Sequence, residues 1–265
     1  MLGLRRLKRV RDRAFKGMAL AGFPIRSSDR QWYGLKNKHS GERAFIIGNG
    51  PSLLLKDLDR LSGEITFAAN KVFLAFEKTR WRPTYYCAVD SLAPEFLGDF
   101  KGGGLGQINF FPDYLTGVEA PPSMYFRLRD DKDASPWPRF SRNPIAGIMQ
   151  GYTVTYICTQ LAFWMGIREL YLVGVDCNYT MPETKPVSKK GSIEVFAKTT
   201  EQNYFLPNYH STGEKFCRPM VQEQVLAYES AKRAYEARGW RIRNATRGGA
   251  LDVFERVDFD EVVET

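Results

Sequence analysis

The chain holds two histidines, His39 and His210, so the choice of a side chain that can trade a proton near neutrality is short. His39 sits in a polar lead-in. His210 stands in Asn208-Tyr209-His210-Ser211, at the end of a long polar stretch and just before the last long helical pattern. From there it can swing over a crevice as a general base, or it is a histidine of a surface loop. A second chemistry is written in Ala44-Phe45-Ile46-Ile47-Gly48-Asn49-Gly50-Pro51-Ser52-Leu53, where apolar residues run into a Gly-x-Gly turn and a proline. This predicts a buried strand, a tight turn and a helix start. Gly48 and Gly50 would supply permissive backbone and close ligand approach, and Pro51 suits a first helical position. Backbone N–H groups at such a turn suit an anion. The third glycine of a dinucleotide fingerprint is missing, so the turn points to a phosphate, or to a structural role, without naming a ligand. A third pattern, Asp131-Lys132-Asp133, has the spacing by which paired carboxylates hold a metal on a diphosphate. Arg129 and Asp130 beside it make the run read first as a solvated loop.

These residues need elements to position them. Apolar, β-rich runs fall at residues 44–47, 65–69, 83–89 and 169–175, with shorter ones near 106–111, 123–128 and 240–243. Residues 71–78, 152–165 and 222–238 read as helices, the second closed by Gly166 and the third stopped by Gly239. Residues 24–42 and 129–144 read as irregular. Residues 181–209 are polar and nearly patternless, as a long functional or mobile loop is, and we expect them to form a lid. Strands that alternate with helices and run as unbroken apolar stretches imply a parallel sheet covered on both faces. The expected architecture is therefore one α/β domain, a Rossmann-like twisted and mostly parallel sheet, over residues 24–265. Four of its strands lead into a side chain that can hydrogen-bond or carry charge: Asn49, Asn70, Asp90 and Asp176. In an open parallel sheet the carboxyl ends of the strands line the ligand crevice. Each residue alone is also a common turn or cap residue.

Composition limits the partners. The formal charge is +8, and much of it sits in residues 1–23, where Arg5, Arg6, Lys8, Arg9, Arg11, Arg13 and Lys16 interleave with leucines, Val10, Phe15 and Met18. Such an arm lies on an anionic membrane surface, or packs as a solvated helix on its own domain. The basic residues cluster there and do not interleave with aromatics along the sheet, which argues against nucleic acid. Cys87, Cys158, Cys177 and Cys217 are far apart with no C-x-x-C pair, against a zinc ribbon or a disulfide framework. No run of eighteen apolar residues and no apolar leader is visible, so a cytoplasmic protein, at most held at the inner face of the membrane, is expected.

The Gly48-Asn49-Gly50-Pro51-Ser52-Leu53 turn, the strand end at Asn70, the segment from Tyr156 to Asp176 and His210-Ser211 together resemble the bacterial sialyltransferases of glycosyltransferase family 42. The same features, with Asn244-Ala245-Thr246-Arg247-Gly248-Gly249, are similar to a wider group. It includes the MptE-like pterin pyrophosphokinases and the motility-associated glycosyltransferases. The resemblance implies a GT-A-like fold and an inverting, metal-independent transfer of a sialic-acid-like sugar from a CMP donor to a glycan acceptor, with no cofactor. His210 takes the place of the family's base. The donor-binding positions it implies are Gly48, Asn49, Gly50, Ser52, Asn70, Asp90, Thr153, Asp176, Asn178 and Tyr179, with the N–H groups of Gly50 and Ser52 meeting the departing phosphate.

The chain departs from the family in two places. Asp90 stands where a further asparagine is usual, and Asn178 and Thr184 stand at or near the places of two phosphate-binding tyrosines; Tyr179, Tyr204 or Tyr209 are on hand to substitute. Three other readings follow: a metal-dependent transferase using Asp131 and Asp133, a pterin pyrophosphokinase needing ATP and magnesium although no Walker A sequence is present, and a non-catalytic nucleotide-binding protein. Self-association is compatible with all of them.

Overall fold

The computed structural model describes residues 27–98, 100, 104–118, 120–130, 133, 136–181, 184–186, 193–196 and 202–264. The basic arm, residues 1–23, lies outside the described residues. The first helix, α1 (Ser27–Leu35), falls in the lead-in expected to be irregular. Its signal in the sequence is short because only Trp32 and Leu35, three residues apart, carry its buried face. The chain then builds β1 (Arg43–Ile47), α2 (Leu55–Arg60), β2 (Ile65–Ala69), β3 (Tyr85–Cys87), α3 (Ala93–Gly98), β4 (Ile108–Pro112) and β5 (Ser123–Phe126). Two short strands, β6 (Leu128–Arg129) and β7 (Ile148–Met149), pair in parallel. Next come α4 (Val154–Trp164), β8 (Glu169–Val173), β9 (Thr184–Pro186), β10 (Ile193–Phe196), β11 (Lys215–Cys217), α5 (Val221–Glu236), β12 (Arg241–Asn244), β13 (Glu255–Arg256) and α6 (Phe259–Glu264).

The main sheet has eight strands in the order β13-β12-β8-β1-β2-β3-β4-β5, and every described pairing in it is parallel. Alternate strand residues feed two cores. Ala44, Ile46, Phe67, Tyr85 and Leu172 face α1, α4 and α5, whereas Phe45, Ile47, Ala68, Tyr86 and Val173 face α2, α3 and α6. That two-sided burial is the reason the strands read as unbroken apolar runs. Helix α4 is buried along its whole length, which explains why its sequence lacks a polar face.

Several expectations change. The helix expected at residues 71–78 is a 3-10 segment, Asn70–Ala75. The stretch expected to be patternless supplies β9 and β10, which pair antiparallel with each other, and β10 pairs antiparallel with β11 on its other side. The helix after the Gly-x-Gly turn begins at Leu55, so Pro51 lies in the turn and is not a first helical residue. Strand β13 and helix α6 close the chain where neither was expected.

Candidate active site

The sheet order reverses between β1 and β8. From β1 the chain runs outward through β5, and β8 returns to the other side of β1. Loops that leave the carboxyl ends of two such neighbouring strands diverge to opposite faces, opening a crevice. A cleft of about 1130 Å³ sits there.

The two exits are pressed together. Gly48 N donates to Val173 O at 2.8 Å and Gly50 N to Gly174 O at 2.9 Å. A Cβ on Gly48 would sit 2.2 Å from the Gly174 carbonyl oxygen, and one on Gly50 would sit 1.9 Å from Asp176 Oδ2. Glycine is therefore required here by the contact between the loops, and not by ligand approach as the sequence suggested. The Gly50 amide is already paired, and Ser52 N approaches Asp176 Oδ2 at 3.5 Å while Ser52 Oγ donates to it at 2.8 Å. The phosphate role expected of the Gly50 and Ser52 N–H groups is thus corrected: both groups are committed within the protein. Ser52 stands behind the cleft and does not line it, whereas Gly48, Asn49, Gly50, Asn70, Asp90, Thr153, Asp176, Asn178, Tyr179 and His210 all do.

Asp176 is only 6% exposed. Burial raises its carboxyl above the ordinary range, and the hydrogen bonds from Ser52 and the charge of Arg256 oppose that rise. Its carbonyl accepts from Ala250 N at 2.7 Å, so this one residue ties the first turn to the segment after β12. Asn49 Nδ2 donates to Ala69 O at 2.9 Å, and Asn70 is held with φ at +51° by the exit of β2. Both asparagines keep a buried Oδ1 that has no partner among the described residues. Buried acceptors of this kind are costly unless something donates to them. Asp90 Oδ1 accepts from Leu92 N at 2.9 Å and from Cys217 Sγ at 3.4 Å. Burial and the neighbouring Asp90 push the Cys217 thiol up to about 12. Thr153 precedes α4 without capping it; its Oγ1 lies 2.7 Å from Thr155 Oγ1. The first backbone N–H groups of α4 therefore lack a side-chain cap at the wall of the cleft.

His210 lines the same cleft. Its side chain is only 10% exposed, so it is a packed residue and not one of a solvated loop. The ring lies edge-on to Tyr204 at 4.8 Å and to Tyr209 at 4.9 Å, and those two tyrosines stack at 4.1 Å. Tyr179 meets Tyr204 edge-on at 6.4 Å. Nδ1 of His210 lies 2.8 Å from Glu214 Oε1. The same oxygen receives Lys71 Nζ, and Oε2 receives Ser211 N at 3.0 Å. Burial works to raise the Glu214 carboxyl, but the hydrogen bonds from His210, Lys71 and Ser211 outweigh it and bring it down to about 2. Lys71 and Glu214 were not singled out in the sequence. The only signals were that Lys71 follows Asn70 and that Glu214 stands four residues after His210. His39 is elsewhere, between Glu42 at 3.0 Å and Tyr85 Oη at 2.7 Å.

The cleft fits a magnesium ion poorly. Asp176 is bound to Ser52, both oxygens of Glu214 are taken, and Asp90 Oδ1 already has two donors. Among the described residues no group of three or more His, Cys, Asp or Glu side chains is assembled for a cation. Asp131 and Lys132 lie outside the described residues, and Asp133 does not line the cleft.

Fold and site define an open, doubly wound α/β protein with a polar cleft at its switch point. The chain belongs to the 6-hydroxymethylpterin diphosphokinase MptE-like family, whose model matches residues 26–182. No curated protein matches the chain in sequence. Among solved structures it is similar to the MAf glycosyltransferase from Magnetospirillum magneticum AMB-1, at 14% identity and a TM-score of 0.47, over 86% of this chain and 37% of that one. The chain thus spans about 37% of that protein's length. It is also similar to the sialyltransferase CstII from Campylobacter jejuni in complex with cytidine-5'-monophosphate, at 14% identity and a TM-score of 0.44, over 82% of this chain and 85% of that one. No helix among the described residues is long and apolar enough to cross a membrane.

Proposed function

We propose that this chain is an inverting, metal-independent glycosyltransferase that moves a sialic-acid-like sugar from a CMP donor to a glycan hydroxyl, with the basic arm at residues 1–23 holding it on an anionic membrane surface. The observation that carries the reading is the seating of His210: a largely buried imidazole whose Nδ1 is engaged, in the wall of the switch-point cleft. Inversion needs one displacement. The acceptor O–H loses its proton to Nε2 of His210 as its oxygen bonds the anomeric carbon, and the C–O bond to phosphate breaks with its electron pair leaving on CMP. A positioned base, donors for the departing phosphate and acceptors for the nucleoside are what this step requires. The orphaned Oδ1 atoms of Asn49 and Asn70 suit nucleoside N–H or O–H donors. With the Gly50 and Ser52 amides occupied, the uncapped start of α4 behind Thr153 takes their place as the anion site. Asn178 and Tyr179, two and three residues after Asp176, also line the cleft and complete the donor set.

Family membership favours a second reading, pyrophosphoryl transfer from ATP to a hydroxymethylpterin. One experiment separates the two: CMP, CDP, UDP, GDP and ATP are compared for thermal stabilisation with magnesium and with EDTA. A ligand that binds only the folded chain raises stability by about 2.7 kcal/mol at a hundred times its Kd. Selective stabilisation by CMP, unchanged by EDTA, is expected. Selective stabilisation by ATP that EDTA abolishes would install the second reading in place of the first.

A further inference from the structure

Two charged side chains behind His210 remain to be explained. Glu214 lies four residues on, across a turn in which Glu214 N donates to Ser211 O at 3.0 Å. Lys71 comes from the exit of β2 and is 9% exposed; its Nζ reaches Glu214 Oε1 and donates to Tyr209 O at 3.0 Å, and it lies 5.6 Å from the centre of the Tyr209 ring. Lysine thus grips both the carboxylate behind the imidazole and the main chain just before it.

We propose that Glu214, held by Lys71, is the positioning residue of the catalytic base: it fixes the neutral His210 ring with its proton on Nδ1 and balances the charge that forms when Nε2 accepts the acceptor's proton. The role as helper of a base rests on the glycosyltransferase reading above. The chemistry of the donors decides the tautomer. Three groups, His210 Nδ1, Lys71 Nζ and Ser211 N, converge on two carboxylate oxygens. An ionised carboxylate only accepts hydrogen bonds, so Nδ1 must carry a proton, and in the neutral ring that leaves the lone pair on Nε2. Burial weighs against the charge, but those same donors hold the Glu214 carboxyl at about 2, ionised throughout the neutral range. Glu214 Oε1 lies directly against Nδ1, so the imidazolium of the reaction forms in contact with that carboxylate, whose charge Lys71 shares. Among the described residues, Tyr204 and Tyr209 also pack edge-on to the ring, with Asp90 and Tyr179 acting on Tyr209 from beyond it. A bare structural staple, joining the turn after Tyr209 to the β2 exit, would use the same contacts and hold the same tautomer, but it would not set the pH profile of turnover.

Nitrogen NMR of the full chain tests this without a substrate, because there are two histidines to assign and His39→Gln identifies the other. Wild-type His210 is expected to show a protonated Nδ1 and an unprotonated Nε2, and Glu214→Gln to mix the two tautomers. With CMP-N-acetylneuraminate as the probe, Glu214→Gln should lower kcat by about ten- to a hundredfold with KM little changed, and should move the acid limb of the rate profile to lower pH. Glu214→Asp should recover part of the loss. A wild-type ring with its proton on Nε2, or a Glu214→Gln chain with unaltered tautomer and profile, overturns the proposal. Equal loss at every pH with a falling Tm assigns a structural role only and also overturns it. His210→Ala separates the levels: if that variant turns over normally the base reading itself fails, whereas if it is inactive beside a fully active Glu214→Gln, only the positioning role fails.

Discussion

His210 is the residue on which the proposed chemistry turns. Its replacement by Ala is expected to lower kcat by about two to four orders of magnitude, the usual worth of a positioned base, while calorimetry shows CMP binding largely intact. Near-normal turnover, or loss of the wild-type rate on adding EDTA, would count against it. Glu214 makes a separate prediction about stability. Its folded carboxyl is held at about 2, below the ordinary 4.5, so ionised Glu214 favours the folded state. That contribution is complete above 4.5 and is lost as pH falls through about 2. Urea unfolding across that window should show a steeper acid loss for wild type than for Glu214→Gln. Asp176 has the opposite sign, since its raised carboxyl withdraws stability as pH rises above 3.8. Of these residues, Asn49, Asn70, Asp90, Asp176 and His210 were legible in the sequence because each follows an apolar run or stands out by rarity. Lys71 and Glu214 were not, since 143 residues separate them and nothing local marks their meeting.

At the scale of the element, the Gly-x-Gly turn and the exit of β8 behave as one unit. A methyl on Gly48 would meet a backbone carbonyl at 2.2 Å, which cannot step aside without parting β1 from β8. Gly48→Ala should therefore cost about 1–3 kcal/mol in urea unfolding and weaken nucleotide binding in parallel. A wild-type midpoint would show that the two exits are looser than the distances imply. The turn was legible as a turn, but its partner was not: the 2.9 Å bond from Gly50 to Gly174 is a product of the β1–β8 pairing, which only topology supplies. The small antiparallel sheet β9-β10-β11 was illegible for another reason. Thr184–Pro186 and Ile193–Phe196 are three and four residues long, embedded in lysines and serines, and too short to show a period. Strand β13 is two exposed residues, Glu255 and Arg256, with no apolar signal at all. The long apolar runs of β1, β2, β8 and α4 were legible because burial on both sides leaves no polar residue to interrupt them.

At the scale of the molecule, charge is unevenly placed. The arm at residues 1–23 holds seven basic side chains against one carboxylate, Asp12, so most of the net +8 lies there and little is left for the α/β body. In the proposed reading the arm meets a surface and the cleft takes the donor. Each Lys or Arg near an anionic leaflet contributes roughly 1 kcal/mol, and the interleaved leucines add apolar burial that neutral lipid alone would not recruit. The full chain is therefore expected to sediment with vesicles containing phosphatidylserine and not with pure phosphatidylcholine. Its binding should fall as salt rises from 0.05 to about 0.5 M, because the Debye length shortens from above 10 Å to a few ångströms. Removing residues 1–23 should abolish that sedimentation while leaving turnover on a soluble acceptor within about twofold of the full chain, since every residue named above for the donor and the base lies between Gly48 and His210. Equal vesicle binding by the two forms at 0.1 M salt, about one Debye length of 10 Å, would take the arm out of the argument and move the membrane contact to the α/β body.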